Sequence, residues 1–132
     1  MLRIIKHIIL LLAVLAALSG CTKEVVVFGD PNSAEFKEIT IGGIRQHVLD
    51  NLDQSAKISA KFLDPLWTGF AEDRDAFMAG GDFGRIVVLA PKGKYTEAIA
   101  SLKKGDPVLL YGTIATVTPP EREKGILAIE VQ

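Results

Sequence analysis

Asp106 to Thr118, DPVLLYGTIATVT, is the strongest strand in the chain. Its aliphatic and β-branched side chains suit a pleated, half-buried surface. A strand satisfies its own backbone only by pairing with others, so a sheet is the frame into which the remaining segments must fit. The chain has 132 residues, enough for one domain and no second.

Neighbouring segments supply the partners. In AKISAKFLD, Ile58, Ala60 and Phe62 alternate with Lys57, Ser59 and Lys61, the period of a half-buried strand, and Asp64-Pro65 ends or bends it. RIVVLAP is a strand with a continuous apolar centre, stopped by Pro91. ILAIEVQ is the last strand, after the polar turn PPEREKG. Ile41, Ile44, Val48 and Leu52 stand at helical spacing and predict a helix from about Ile44 to Asp53, with Gly42-Gly43 marking its start. A second short helix is predicted over Tyr95 to Lys104. Its apolar face is Tyr95, Ala98, Ile99 and Leu102, and Gly105 supplies a left-handed cap. AGGDFG, Ala79 to Gly84, reads as a loop. Two segments stay open. KEVVVFGDPNS reads as a short strand or a tether before the break at Gly29-Asp30-Pro31-Asn32. Leu66 to Met78 reads as a strand with a loop or as a helical turn.

With a strand in that aromatic segment, the order is five strands with a helix between the third and fourth. That is the order of the oligonucleotide/oligosaccharide-binding (OB) barrel. The segment LKKGDPVLLYGTIATV resembles a recurrent piece of that fold, in which a lysine-glycine-acid turn leads into an alternating strand and a glycine bends it at the barrel's edge. Gly112 takes the bending role, because only a residue without a side chain tolerates close backbone approach. The resemblance covers mainly Ser55 to Gln132, and the first strand departs from it in lacking a bending glycine. The expected fold class is mainly β with short helices (α+β), a five-stranded OB-like barrel preceded by a helix.

The N-terminus carries a different message. Arg3 and Lys6 precede an unbroken apolar run from Ile8 to Leu18, and small residues follow before Cys21, the only cysteine. This is the layout of a secretory signal. The apolar run is shorter than the roughly 20 residues a spanning helix needs. Leu18-Ser19-Gly20-Cys21 resembles the lipobox of bacterial lipoproteins. The resemblance implies that the Cys21 thiolate accepts a diacylglycerol unit, that residues 1–20 are then removed, and that the new amino group is acylated, as with palmitate. Two or three chains hold a bilayer firmly where one does not. Thr22 in place of an aspartate leans toward the outer membrane, facing the periplasm, if the source is Gram-negative. The expected organisation is a signal peptide over 1–20, a lipidated N-terminus and tether over 21–40, and the barrel with its helix over 41–132.

Loss of the leader takes Arg3 and Lys6 from the 15 basic residues, leaving 13 against 16 acidic. A mildly acidic domain is a poor general binder of phosphate backbones, which argues against nucleic acid as partner. With no second cysteine and only His47 beside the leader's His7, no familiar metal spacing exists, and neither metal nor cofactor is expected. His47 reads as a helix decoration. Pro91 to Lys94, PKGK, lacks the residues of a phosphate loop, and GGDFG lacks dinucleotide spacing. Asp64, Glu72, Asp73, Asp75 and Asp82 form an acidic scatter without the calcium-loop pattern, favouring a solvated loop.

The candidate ligand residues are Trp67, Phe70 and Phe83 with Arg85, Lys57 and Lys61, and Phe77 belongs to the same aromatic set. The second and third strands of such a barrel, with the adjoining loops, form the usual groove, where aromatics stack on bases or sugars and cations add hydrogen bonds. The alternative is that the rings plug a small core, and the lack of a basic stripe favours it. The function expected is a non-enzymatic, membrane-anchored envelope lipoprotein that binds an envelope protein, glycan or small ligand through its barrel. Nucleic-acid binding and an unrecognised enzyme are the alternatives.

Overall fold

A computed structural model describes residues 24–66, 73–118 and 124–132. Two eleven-residue strands, β3 (Ser55–Pro65) and β6 (Pro107–Val117), form its spine. Alternation is what makes them strands of one wall. Ala56, Ile58, Ala60 and Phe62 on β3, and Val108, Leu110 and Ile114 on β6, all point inward and are buried.

Around this pair run β1 (Val26–Phe28), β2 (Lys37–Glu38), α1 (Ile41–Gln46), α2 (Val48–Asn51), β4 (Arg74–Gly81), β5 (Gly84–Pro91), α3 (Thr96–Ser101) and β7 (Ile126–Val131). Strand β3 pairs antiparallel with β4, and β4 with β5. Strand β5 runs parallel to β7, β7 antiparallel to β6, and β6 returns antiparallel to β3. The sheet thus closes on itself as a five-stranded OB-like barrel, with α3 between its third and fourth strands. The short strands β1 and β2 add to it in parallel, β1 on β6 and β2 on β3.

The core is sealed by aromatic rings in sequence. Phe62 lies 5.6 Å from Phe77, Phe77 lies 4.9 Å from Phe28, and Phe28 lies 5.2 Å from Tyr95, centroid to centroid. Ile41 and Ile44 of α1 and Ile99 of α3 are buried in the same cluster. The segment over 23–33 is therefore a strand in its middle, since Phe28 is fully buried. The Tyr95 hydroxyl holds it there, accepting from the Gly29 N–H (3.0 Å) and donating to the Gln132 carbonyl oxygen (2.7 Å).

Several local expectations need correction. The helix expected from Ile44 to Asp53 starts earlier, at Ile41, because Thr40 Oγ1 accepts from the Gly43 N–H (3.0 Å) and caps it. It then breaks at His47 (φ −136°, ψ 55°), leaving α2 as one turn. The stretch AGGDFG is mostly strand rather than loop, and only Asp82-Phe83 turns. Helix α3 stops at Ser101, since Leu102 is already extended. Gly105 (φ +93°) therefore serves the turn into β6, where its N–H donates to the Phe62 carbonyl oxygen (2.8 Å), and it does not cap the helix. The aromatic segment contains a strand from Arg74, while residues 67–72 lie outside the described residues. Cys21 and the expected signal peptide lie outside them too.

Bending is solved differently in the two long strands. On β3 a register shift between Phe62 and Asp64 replaces the missing glycine. On β6 the bend is at Gly112, as expected. A Cβ there would run into the Glu130 backbone and come within 2.8 Å of Ile129 Cγ1. Because the obstacle includes backbone, Gly112→Ala should destabilise the fold by about 2 kcal/mol, the cost of overpacking a dense wall. Urea denaturation followed by circular dichroism measures this, and an unchanged midpoint would show that β7 can move aside.

Candidate functional site

The outward side of the barrel changes character along β4 and β5. Towards Arg74 it is apolar. Ala76, Val87, Leu89 and Ala128 form a second buried cluster, with Leu66, Met78, Val117 and Ile126 packed against it. This explains the continuous apolar centre of β5, which is covered on both sides. No aromatic ring and no cation belongs to this cluster among the described residues. The part of the face that would stack bases in an OB barrel is, here, a satellite core.

Towards the β4–β5 turn the face becomes a cleft of about 560 Å³. Register builds it. Lys61 is opposite Pro107 on one side and Gly80 on the other, and Gly80 is opposite Arg85. Pro107, Lys61, Gly80 and Arg85 thus form a row across four strands. With neighbouring strands about 4.8 Å apart, the Lys61 and Arg85 backbones stand about 10 Å apart. Gly80 keeps the floor between them low, and Leu63, at the register shift, leans over it. A Cβ on Gly80 would come within 2.8 Å of Leu63 Cδ1. Ser59 and Asp82 complete the wall.

Lys61 and Arg85 are both exposed, and neither makes an ion pair or side-chain hydrogen bond with a described residue. A guanidinium free to present its planar fork suits a carboxylate or phosphate, and the ammonium adds a second point of charge. A second cleft, of about 670 Å³, lies beside Asp73, Arg74 and Glu130. There the Arg74 guanidinium is already paired with Glu130 at 2.7 Å.

The other residues chosen from the sequence are dispersed. Phe83 occupies the turn next to the cleft, with 93% of its surface exposed. Phe77, by contrast, is fully buried in the main core. Lys57 lies away from the row, with its Nζ 5.9 Å from the Tyr111 ring centroid, and Tyr111 meets Phe36 edge-on at 5.2 Å. Trp67 and Phe70 lie outside the described residues, as does Glu72 of the acidic scatter. Of the other acids, Asp75 stitches β4 to the segment leading into α3, accepting from the Gly93 N–H (3.0 Å) and Thr96 Oγ1 (2.9 Å). Asp73 and Asp82 flank opposite ends of β4, roughly 30 Å apart along an extended strand. His47 is exposed between α1 and α2, with its Nδ1 3.9 Å from Asp50. Among the described residues no three metal-ligating side chains converge.

Sequence reasoning missed Gly80, Leu63 and Pro107 as parts of the site. No local signal marks them, because they become neighbours of Lys61 and Arg85 only through strand register.

Phe83 is a bulky residue held at φ +66°. The left-handed region costs a residue with a Cβ about 1 kcal/mol relative to glycine, and an exposed ring returns little by burial. Phe83→Gly should therefore leave stability unchanged or raise it by up to about 1 kcal/mol, whereas Phe77→Ala should cost about 3–5 kcal/mol. Thermal and urea unfolding of the two variants checks the contrast. A large loss in Phe83→Gly would mean that the ring packs on the barrel.

Comparison with known proteins adds to the fold only. No family model and no curated protein matches the chain. Forty-five chains of solved structures resemble it. One is a Leishmania major protein assigned as an aspartyl-tRNA synthetase, matched with a TM-score of 0.52 at 14% sequence identity. The match covers 88% of this chain but 24% of the other, so the chain spans about a quarter of that protein's length. The similarity is to the architecture of a barrel carried within a larger enzyme.

Proposed function

We propose that this protein is a membrane-tethered binding module of the cell envelope. It would act through the cleft beside the β4–β5 turn rather than by catalysis. The observation that carries the reading is the Lys61–Gly80–Arg85 row, in which two unpaired cations flank a glycine on the outer face of the barrel. Exposed cations that pair with no described residue of their own chain are available to a partner. The tether is read from Leu18-Ser19-Gly20-Cys21. The partner is an envelope protein or glycan. A likeness at 14% identity brings none of the synthetase's chemistry to this chain.

The two halves of the reading are tested separately. Labelled palmitate should enter the wild-type chain and not Cys21→Ser, and the variant should leave the membrane fraction. Equal labelling and equal retention would remove the anchor. For the cleft, a photo-reactive phenylalanine analogue placed at Phe83, exposed beside the row, should give discrete adducts in native membranes. The same analogue at the exposed Glu97 on α3 should not, and Lys61→Glu should abolish the adducts at position 83. Identical adducts from both positions would remove the cleft as the binding surface.

A further inference from the structure

We infer that the cleft takes an acidic, extended peptide segment of a partner protein, an assignment that rests on reading the cleft as the binding surface. Three features point to a peptide. The first is charge. Lys61 and Arg85 stand against one carboxylate, Asp82, among the lining residues, so the cleft is locally positive on a mature chain that is net acidic. A partner is steered to this spot by opposite charge and repelled elsewhere.

The second is shape. The row runs across four strands, and between its two cations lies Gly80, with Pro107 continuing the row beyond Lys61. Within the row the long side chains stand at Lys61 and Arg85, and Leu63 covers Gly80 between them, so a main chain can cross the strands over an apolar sill. In an extended peptide, side chains on one face recur about every 6.8 Å. Two flexible cationic side chains rooted about 10 Å apart converge readily on carboxylates at that spacing. The Arg85 guanidinium can take one of them with two parallel hydrogen bonds.

The third is what stands beside the cleft. Phe83 projects from the adjacent turn and offers an apolar surface where the peptide leaves the row beyond the acid held by Arg85. Among the described residues no ring lies in the row itself or in the apolar cluster next to it, so Phe83 would be a lone stacking platform for a nucleobase. Two cations also make too short a track for a phosphate backbone.

The test uses the full chain in detergent micelles and three fluorescent probes. These are a capped hexapeptide alternating aspartate and valine, its counterpart with lysine for aspartate, and a single-stranded dT decamer. The acidic peptide should bind, and the basic one should bind at least about tenfold more weakly. Binding of the acidic peptide should fall at least about tenfold in the Lys61→Glu/Arg85→Glu double variant. Lys57→Glu, away from the row, should leave it intact. Thermal midpoints, unchanged because both side chains are exposed, separate lost binding from lost fold. Amide resonances of Lys61, Gly80 and Arg85 should shift on titration. Equal binding of the two peptides, tighter binding of the dT decamer, or no binding of the acidic peptide at millimolar concentration overturns the assignment. If position-83 adducts persist and remain sensitive to Lys61→Glu, such a result removes the acidic peptide and leaves the cleft. If they are absent as well, both readings fall.

Discussion

Seven consecutive residue pairs between β3 and β6, from Ser55 with Thr113 to Lys61 with Pro107, close the sheet, and everything else in the molecule follows from that closure. Without it the wall would be an open sheet with its apolar side bare and two long unpaired edges. With it, Ile58, Leu110, Ile114 and Phe77 face one another in a dry interior. Strand β3 cannot follow β6 and β4 along its whole length in a barrel this small. It hands over from one to the other at Lys61, which belongs to both ladders. The register shift immediately beyond is the local expression of that handover.

The same handover makes the cleft. The Lys61 side chain stands between Pro107 and Gly80 in the row, and a glycine on one side and a proline on the other leave it room. Farther along the face, where β4, β5 and β7 run alongside one another, Val87, Leu89 and Ala128 have enough neighbours to be buried. One surface is thus apolar and filled at one end and charged and open at the other. The physical difference is side-chain size and polarity: Val87, Leu89 and Met78 fill one end, whereas Gly80 and Pro107 leave space around the charged Lys61 and Arg85 at the other.

Closure also decides where the chain enters the barrel. Phe28 fills the core between Phe77 and Tyr95, and the Tyr95 hydroxyl joins Gly29 to Gln132. Each such bond contributes on the order of 1 kcal/mol. Strand β1 is therefore part of the wall, and five residue steps separate Val26 from Cys21, about 17 Å of extended chain. Under the proposed anchoring, the barrel is held close to the bilayer on a short lead.

Periodicity in the sequence sufficed for β3, β5, β6, β7 and the helix after β5, because alternation is a local property, while β4 stayed open within Leu66 to Met78 and Gly112 as the bend came with the resemblance to the OB barrel. Lys61, Arg85 and Phe83 could be picked out as ligand candidates by residue type, but the favoured reading of the aromatic set as core plugs holds for Phe77 and not for Phe83, which is exposed. What the sequence could not reveal was that Lys61 and Arg85 share a row while Lys57 is drawn to Tyr111, or that Gly80-Gly81 is strand rather than loop. Helix ends at Gln46 and Ser101 were equally hidden, since the spacing of Ile44 and Val48 looks continuous although His47 breaks the helix between them. These features depend on which residues lie across from one another. Cross-strand register is set by barrel closure, a constraint between residues far apart in the chain, nearly sixty positions for Ser55 and Thr113. No window of neighbouring residues contains it.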